Sequence, residues 1–329
     1  MRRRDVLTLA LGSLAGAALA TGPGFAQGQW PDRPIRLVVP RSAGGVLDIV
    51  ARHWAEWVKE PLGSIVVDNI GGGGGIIGTA TVARSPADGY TLLLGSTSDL
   101  VLHPVLSPKA ANYTASDFAP VATMAISVAS IIVHPSVPAK DLKELAAYAK
   151  ANPGKLSYGS AGAGTMANLA GELFKSLAGA PDIVHVPYKG AAGGYTDLIS
   201  GQLPMFAANI TDQMISLHRA GKVRILAVAT EKRLDIAPEL PTTAEAGYPE
   251  LIAKLALGVF APAGTPDPVL DKLAEVTRKS LDDADFRAKL VKAGFEPVLG
   301  VGRRETAEFI GAEEKRWTPV VMSSGLKTQ

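Results

Sequence analysis

Short apolar strands alternate with helical stretches along nearly the whole chain, and this alternation narrows the fold more than any other feature. Pro34 to Pro40 (Pro-Ile-Arg-Leu-Val-Val-Pro) reads as a strand, followed by a helix from about Leu47 to Lys59 with Ile49, Val50, Trp54, Trp57 and Val58 on one face. Ile65–Val67 and Thr91–Leu94 are further strands, with a short helix over Ile76 to Arg84 between them. A second series begins near Ser127. It has strands at Val128 to Val133, Leu156 to Gly159, Ile183 to Val186 and Val223 to Ala229, and helices at Leu142 to Lys150 and Met166 to Leu177. From Val269 onward the pattern is helical. Alternation of this kind predicts βαβ units and parallel sheets covered on both faces.

At 329 residues the chain exceeds what one core usually serves, so two domains are expected. The segment after Gly258 is too poor in strands to stand alone and is read as returning to the first domain. The predicted organisation is a first α/β domain over 27–125 plus 252–329 and a second over 126–251, with two crossings, a hinge and a cleft between them.

Residues 1–26 are set aside as an export signal. Arg2, Arg3 and Arg4 open it, Val6 to Ala20 is apolar but too short to span a bilayer comfortably, and Gly24-Phe25-Ala26 offers a small-x-small cleavage site near Ala26. Arg3-Arg4-Asp5-Val6-Leu7 resembles a twin-arginine signal with Val in place of the usual Phe; a Sec signal with an accidental Arg pair is the alternative. The mature protein is therefore expected in the periplasm. Its leader carries three Arg and one Asp, which accounts for the whole formal charge of +2, so the mature chain is neutral and has no nucleic-acid footprint. Cysteine is absent, which excludes disulfides, thiolate metal sites and a cysteine nucleophile.

Three loops between a strand and a helix carry the candidate chemistry: Pro40–Asp48, Tyr158–Thr165 and Pro187–Ala192. Loops at the carboxyl ends of strands are where α/β proteins bind ligands, and the following helix start offers free N–H groups to an anion. Other chemistries find little support. Gly73-x-Gly75-x-x-Gly78 and Gly162-x-Gly164-x-x-Ala167 spell a dinucleotide fingerprint, but a run of consecutive glycines satisfies such patterns by chance and no acidic residue ends the next strand. No cofactor is expected. There is no Gly-x-Ser-x-Gly, and the five histidines are scattered singly, so neither a catalytic residue nor a metal ligand is assigned. His185 reads as structural, and Asp282, Asp283 and Asp285 as helix caps.

Nine short motifs in order give the chain a resemblance to the substrate-binding proteins of tripartite tricarboxylate transporters, the Bug family. They are Pro34-Ile-Arg-Leu-Val-Val-Pro40, Gly44-Gly45-x-x-Asp48-Ile-Val-Ala-Arg52, Asp88-Gly-Tyr-Thr-Leu-Leu93, Asp117-Phe-Ala-Pro-Val121, Leu169-Ala-Gly-Glu-Leu-Phe174, Val186-Pro-Tyr-Lys-Gly190, Leu226-Ala-Val-Ala-Thr230, Pro241-Thr-Thr-Ala-Glu-Ala-Gly247 and Ala261-Pro-Ala-Gly-Thr-Pro266. The resemblance implies an α/β, two-lobed periplasmic-binding-protein fold of type II-like form that closes on a small carboxylate. It implies a monomer that catalyses nothing and delivers its ligand to membrane permease subunits. Carried over by position, ligand contacts fall at Ser42, Gly44, Gly45, Val46 and Leu47, at Ser160, Ala161, Gly162, Gly164, Thr165 and Asn168, and at Lys189 and Gly190. Asp48 is read either as a ligand contact or as a helix cap, with the cap favoured.

The chain departs from the family pattern in its first loop. Arg41 and Ala43 replace an aromatic and a Pro, and Val46 and Leu47 replace a Gly and a Thr. His103 stands where Asn is common, Asn168 where His is common, and the Asn69–Gly75 stretch lacks an Arg. A bulkier, more apolar first loop favours a mono- or dicarboxylate with an apolar or aromatic part over a tricarboxylate. A ligand-presenting sensor component, or an exported enzyme, is the competing reading.

Overall fold

The computed structural model describes residues 30–323; residues 1–26, expected from the sequence to be an export signal, lie outside them. By their contacts the residues fall into an N-terminal unit ending at Asp32 and a larger unit beginning at Arg33. Residues 30–32 form no regular element, and every strand and helix belongs to the larger unit.

Among the described residues, ten strands build one curled sheet in a mixed α/β fold. They are β1 (Ile35–Val39), β2 (Ile65–Asn69), β3 (Thr91–Ser96), β4 (Phe118–Val133), β5 (Ser157–Ser160), β6 (Val184–Pro187), β7 (Met205–Asn209), β8 (Arg224–Val228), β9 (Lys254–Pro262) and β10 (Glu296–Pro297). Their order is β2-β1-β3-β9-β4-β7-β5-β6, with β8 and β10 also pairing with β4. Among the described strands, parallel ladders form two sets, β2-β1-β3 and β7-β5-β6. Within each set consecutive strands are joined through a helix, and the Ile, Leu and Val side chains of β1 and β3 are largely buried.

The expected βαβ units and parallel strands are joined by antiparallel pairing that the sequence pattern does not anticipate, through β4 and β9. Strand β9 runs antiparallel to both β3 and β4, and the far half of β4 runs antiparallel to β7 and β8. The apolar run in the sequence predicts a strand only from Val128; β4 in fact begins at Phe118 and runs 16 residues. Pro120 lies in its first half, where the register slips between Pro120 and Ala122 and again between Thr123 and Ala125. Strands β7 and β9 are not expected from the sequence pattern either. Both are mostly buried, so neither shows the alternation that marks a half-exposed strand.

After β9 the chain returns to the first parallel set. Trp54, fully buried on the Val46–Trp57 helix, donates its Nε1–H to Thr277 Oγ1 (3.2 Å) on the Asp267–Asp282 helix. A separate apolar cluster around Phe206, Leu198, Ile225 and Met214 holds β7 and β8 to their helices.

Candidate functional site

The first loop leaves β1 at Pro40 and enters the Val46–Trp57 helix. Gly44 takes φ +83°, which turns its N–H back onto the Asp48 carboxylate (2.9 Å to Oδ2). Asp48 also accepts from Arg52 Nε (2.9 Å) and from Asn69 Nδ2 (3.0 Å). Burial pushes its pKa up, yet the hydrogen bonds from Arg52, Gly44 and Asn69 together outweigh this and hold the carboxyl below its ordinary value. Asp48 is thus fully engaged in fastening the loop. The helix has no side-chain cap at Gly45, so its first-turn amides find no acceptor there.

The second loop repeats this arrangement at the Met166–Ala178 helix. Gly164, at φ +73°, donates its N–H to Asn168 Oδ1 (3.0 Å), as Gly44 does to Asp48. Asn168 Nδ2 in turn donates to the Tyr158 hydroxyl (2.7 Å). Thr165 accepts from the Asn168 amide (3.2 Å) and donates to the Gly162 carbonyl (2.8 Å). The Met166 amide is taken by Ser98 Oγ (2.9 Å), which lies on a π-helical turn, Ser98–Leu102, after β3. Gly44 and Gly164 therefore spend their amides inside their own loops.

The loops from the two parallel sets touch. Ser42 N–H donates to the Lys189 carbonyl (3.4 Å), and the Ser42 side chain packs against Gly190 Cα. Gly74 marks the closest approach between backbones. At φ +65° it lies so near the second loop that a Cβ there would sit 2.1 Å from the Ala163 carbonyl oxygen. Within the glycine run that spelled a nucleotide fingerprint by chance, Gly74 has a steric cause: backbone meets backbone.

Behind the first loop lies a buried polar cluster. Arg41 Nη1 donates to the Pro40 carbonyl (2.7 Å) and to Asp99 Oδ1 (2.9 Å), and Asp99 Oδ2 accepts from Ser96 N (2.9 Å) and Oγ (2.6 Å). His103, only 1% exposed, has no well-aligned partner at either ring nitrogen among the described residues. Burial lowers its pKa to about 4 against the pull of Asp99 and the nearby Ala163 carbonyl, and Arg41 lowers it further. At neutral pH the ring is uncharged, so its 3.9 Å approach to Asp99 is not an ion pair.

These elements enclose a cavity of about 30 Å³. Gly45, Val46 and Leu47 form one wall, Ala161 and Thr165 another, and Ala191 at the uncapped start of the Ala191–Ile199 helix a third. Tyr195, Ala208 and Leu255 make the remaining surface apolar, while Arg41, Ser98 and Asn209 supply polar atoms. Asn209 Nδ2 is buried without a hydrogen-bond partner among the described residues. The space holds about one water, far below a typical ligand pocket, so the loops are pressed together. A larger groove of about 700 Å³ lies between Glu231–Ile236 and Phe295. The smaller cavity is the better candidate because two helix starts without side-chain caps, at Val46 and Ala191, contribute to its lining, whereas the groove is lined by charges of both signs.

Of the residues expected from sequence, Gly45, Val46, Leu47, Ala161 and Thr165 line the cavity. Gly44, Asp48, Gly162, Gly164 and Asn168 shape the loops, and Ser42, Lys189 and Gly190 meet where the first and third loops touch. Ser160 is fully buried, with its Oγ 2.8 Å from His185 Nε2. The hydroxyl also donates to the Gly162 carbonyl (3.1 Å) and does not line the cavity, so the pair braces the loop. Arg41, Ser98, Tyr195 and Asn209 are not expected from the sequence. Only Arg41 carries a signal there, as the one cation in the first loop, Pro40–Asp48.

A family model described as "Tripartite tricarboxylate transporter family receptor" matches residues 50–326. Protein BugT of Bordetella pertussis is 35% identical over 302 residues, covering 91% of this chain and 91% of its own. Among solved structures, the periplasmic binding protein BugD is 33% identical with a TM-score of 0.86, over 91% of this chain and 100% of its own. The R. palustris protein Rpa4515, solved with adipate, is 34% identical with a TM-score of 0.86, over 91% of this chain and 99% of its own.

Proposed function

The chain belongs to the tripartite tricarboxylate transporter receptor family, and on that premise we propose that it is an exported, non-catalytic receptor for a small carboxylate. The ligand is a mono- or dicarboxylate with an apolar or aromatic part, handed on to membrane permease subunits. One observation carries this reading. The cavity between the loops presents hydrogen-bond donors without acceptors, at the uncapped Val46 helix start and at Asn209 Nδ2, against walls of Leu47, Tyr195 and Leu255. Buried donors left unmatched are costly, so an acceptor is the missing partner. The adipate bound by the R. palustris relative is such an acceptor.

Two lobes, residues 27–125 plus 252–329 and residues 126–251, part and close by bending where β4 and β9 cross between the parallel sets. A ligand holds the closed form because only that form offers both walls at once. The closed pair of lobes is the surface a permease reads. Residues 1–26 direct export to the periplasm and are removed near Ala26.

A thermal-shift screen of the purified protein against mono-, di- and tricarboxylates tests this. A carboxylate with an apolar or aromatic portion is expected to raise the melting temperature in proportion to the logarithm of its concentration. A screen in which only non-acidic compounds stabilise the protein would remove the reading.

A further inference from the structure

Arg41 is the one charged residue among the described residues that line the cavity. Its side chain keeps 7% of its surface, and its Nη1 is committed to Pro40 O and Asp99 Oδ1. Nε and Nη2, the other edge of the guanidinium, make no hydrogen bond to the described residues. Asp99 cannot turn to cover that edge, because its second oxygen is held by the Ser96 amide and hydroxyl. The seat is built for this side chain. A Cβ on Gly75, which sits at φ +112°, would lie 1.5 Å from Arg41 Nη1.

An unpaired edge of two parallel N–H bonds matches the two oxygens of a carboxylate, in a way a lysine or an amide cannot copy. Asp99 fixes the orientation of the edge and neutralises the buried charge, so the arginine can stay in place before a ligand arrives. We infer that Arg41 makes the site selective for ligands with two carboxylates. One sits on the amides at the Val46 helix start, and the other lies bidentate on the Nε–Nη2 edge. This rests on the proposed receptor function and narrows its ligand class to dicarboxylates.

The test is calorimetry with linear dicarboxylates from succinate to adipate, each paired with its monomethyl ester, which keeps one carboxylate and nearly the same shape. The native protein is expected to bind its preferred diacid at least about tenfold more tightly than the matching ester. The variant Arg41→Met with Asp99→Asn removes both charges and is expected to bring the two within about threefold. If that variant does not fold, Arg41→Lys decides, since it keeps a cation opposite Asp99 but loses the planar edge; the preference should fall by at least about fivefold. Equal affinity of the native protein for diacid and ester, or an unchanged preference in a folded variant, overturns the role of Arg41 and leaves the receptor reading intact. Failure of every carboxylate to bind the native protein overturns both.

Discussion

Acidification should weaken this fold by an amount that one buried ring dictates. His103 has its pKa lowered from 6.5 to about 4, first by burial and then by Arg41, while Asp99 and the Ala163 carbonyl only partly oppose the change. Between those two values the unfolded chain takes up a proton that the folded chain refuses. The contribution of His103 is therefore fully present above pH 6.5 and declines as the pH falls toward 4. At about 1.36 kcal/mol for each pH unit of that interval, the loss reaches roughly 2 kcal/mol by pH 5 and roughly 3 kcal/mol by pH 4. That is a large share of a typical stability of about 5–15 kcal/mol. Urea unfolding of the native protein and of His103→Asn, each at pH 7 and pH 5, measures it. His53, His185 and His218 also have lowered pKa values, chiefly through burial, but they titrate in both proteins and cancel in the comparison. His103→Asn should lose about 2 kcal/mol less than the native protein between pH 7 and pH 5. Equal losses would show that the ring takes its proton in the folded state, and the buried-neutral account would fall.

Further perturbations separate scaffold from contact. Asp48→Ala frees the Gly44 amide, Arg52 and Asn69 at once, and should cost about 1–3 kcal/mol in urea unfolding. Asp48→Asn keeps an acceptor and should bind the ligand within a few-fold of native, whereas a complete loss of binding in calorimetry would make Asp48 a ligand contact. Gly74→Ala forces a Cβ against the Ala163 carbonyl. Calorimetry should show affinity weakened by about tenfold or more, through poorer closure of the loops. Asn209→Ala removes the unmatched Nδ2 and should also weaken carboxylate binding about tenfold with little change in melting temperature; unchanged affinity would place the ligand elsewhere.

Local signals in the sequence reach β1, β2, β3, β5 and β6, the helices that follow β1, β2 and β5, and the loops between them, because each is written in contiguous residues. Ile35–Val39 with its Gly-rich exit and the Val46 helix is one example. Strand β7, parallel to β5 but antiparallel to β4, and strand β9 are illegible, since their burial on both faces comes from chain segments distant in sequence. The same limit applies to the site. The loops before the helices can be picked out locally, and the family resemblance points within them to Gly45, Val46, Leu47, Ala161 and Thr165, which line the cavity. Asn209 and Tyr195 cannot, because β7 and the Ala191–Ile199 helix bring them there only through tertiary packing. Gly74 shows the converse. Its run has a local pattern that suggests phosphate binding, while its real partner, the Ala163 carbonyl, lies far along the chain.

The most direct measurement is a crystal structure of the protein grown with the carboxylate that stabilises it most. An acid group should lie against the Val46 and Leu47 amides and within hydrogen-bonding distance of Asn209 Nδ2. A compound seated instead in the groove between Glu231–Ile236 and Phe295, with the space beside Leu47 unchanged, would contradict the assignment of the site.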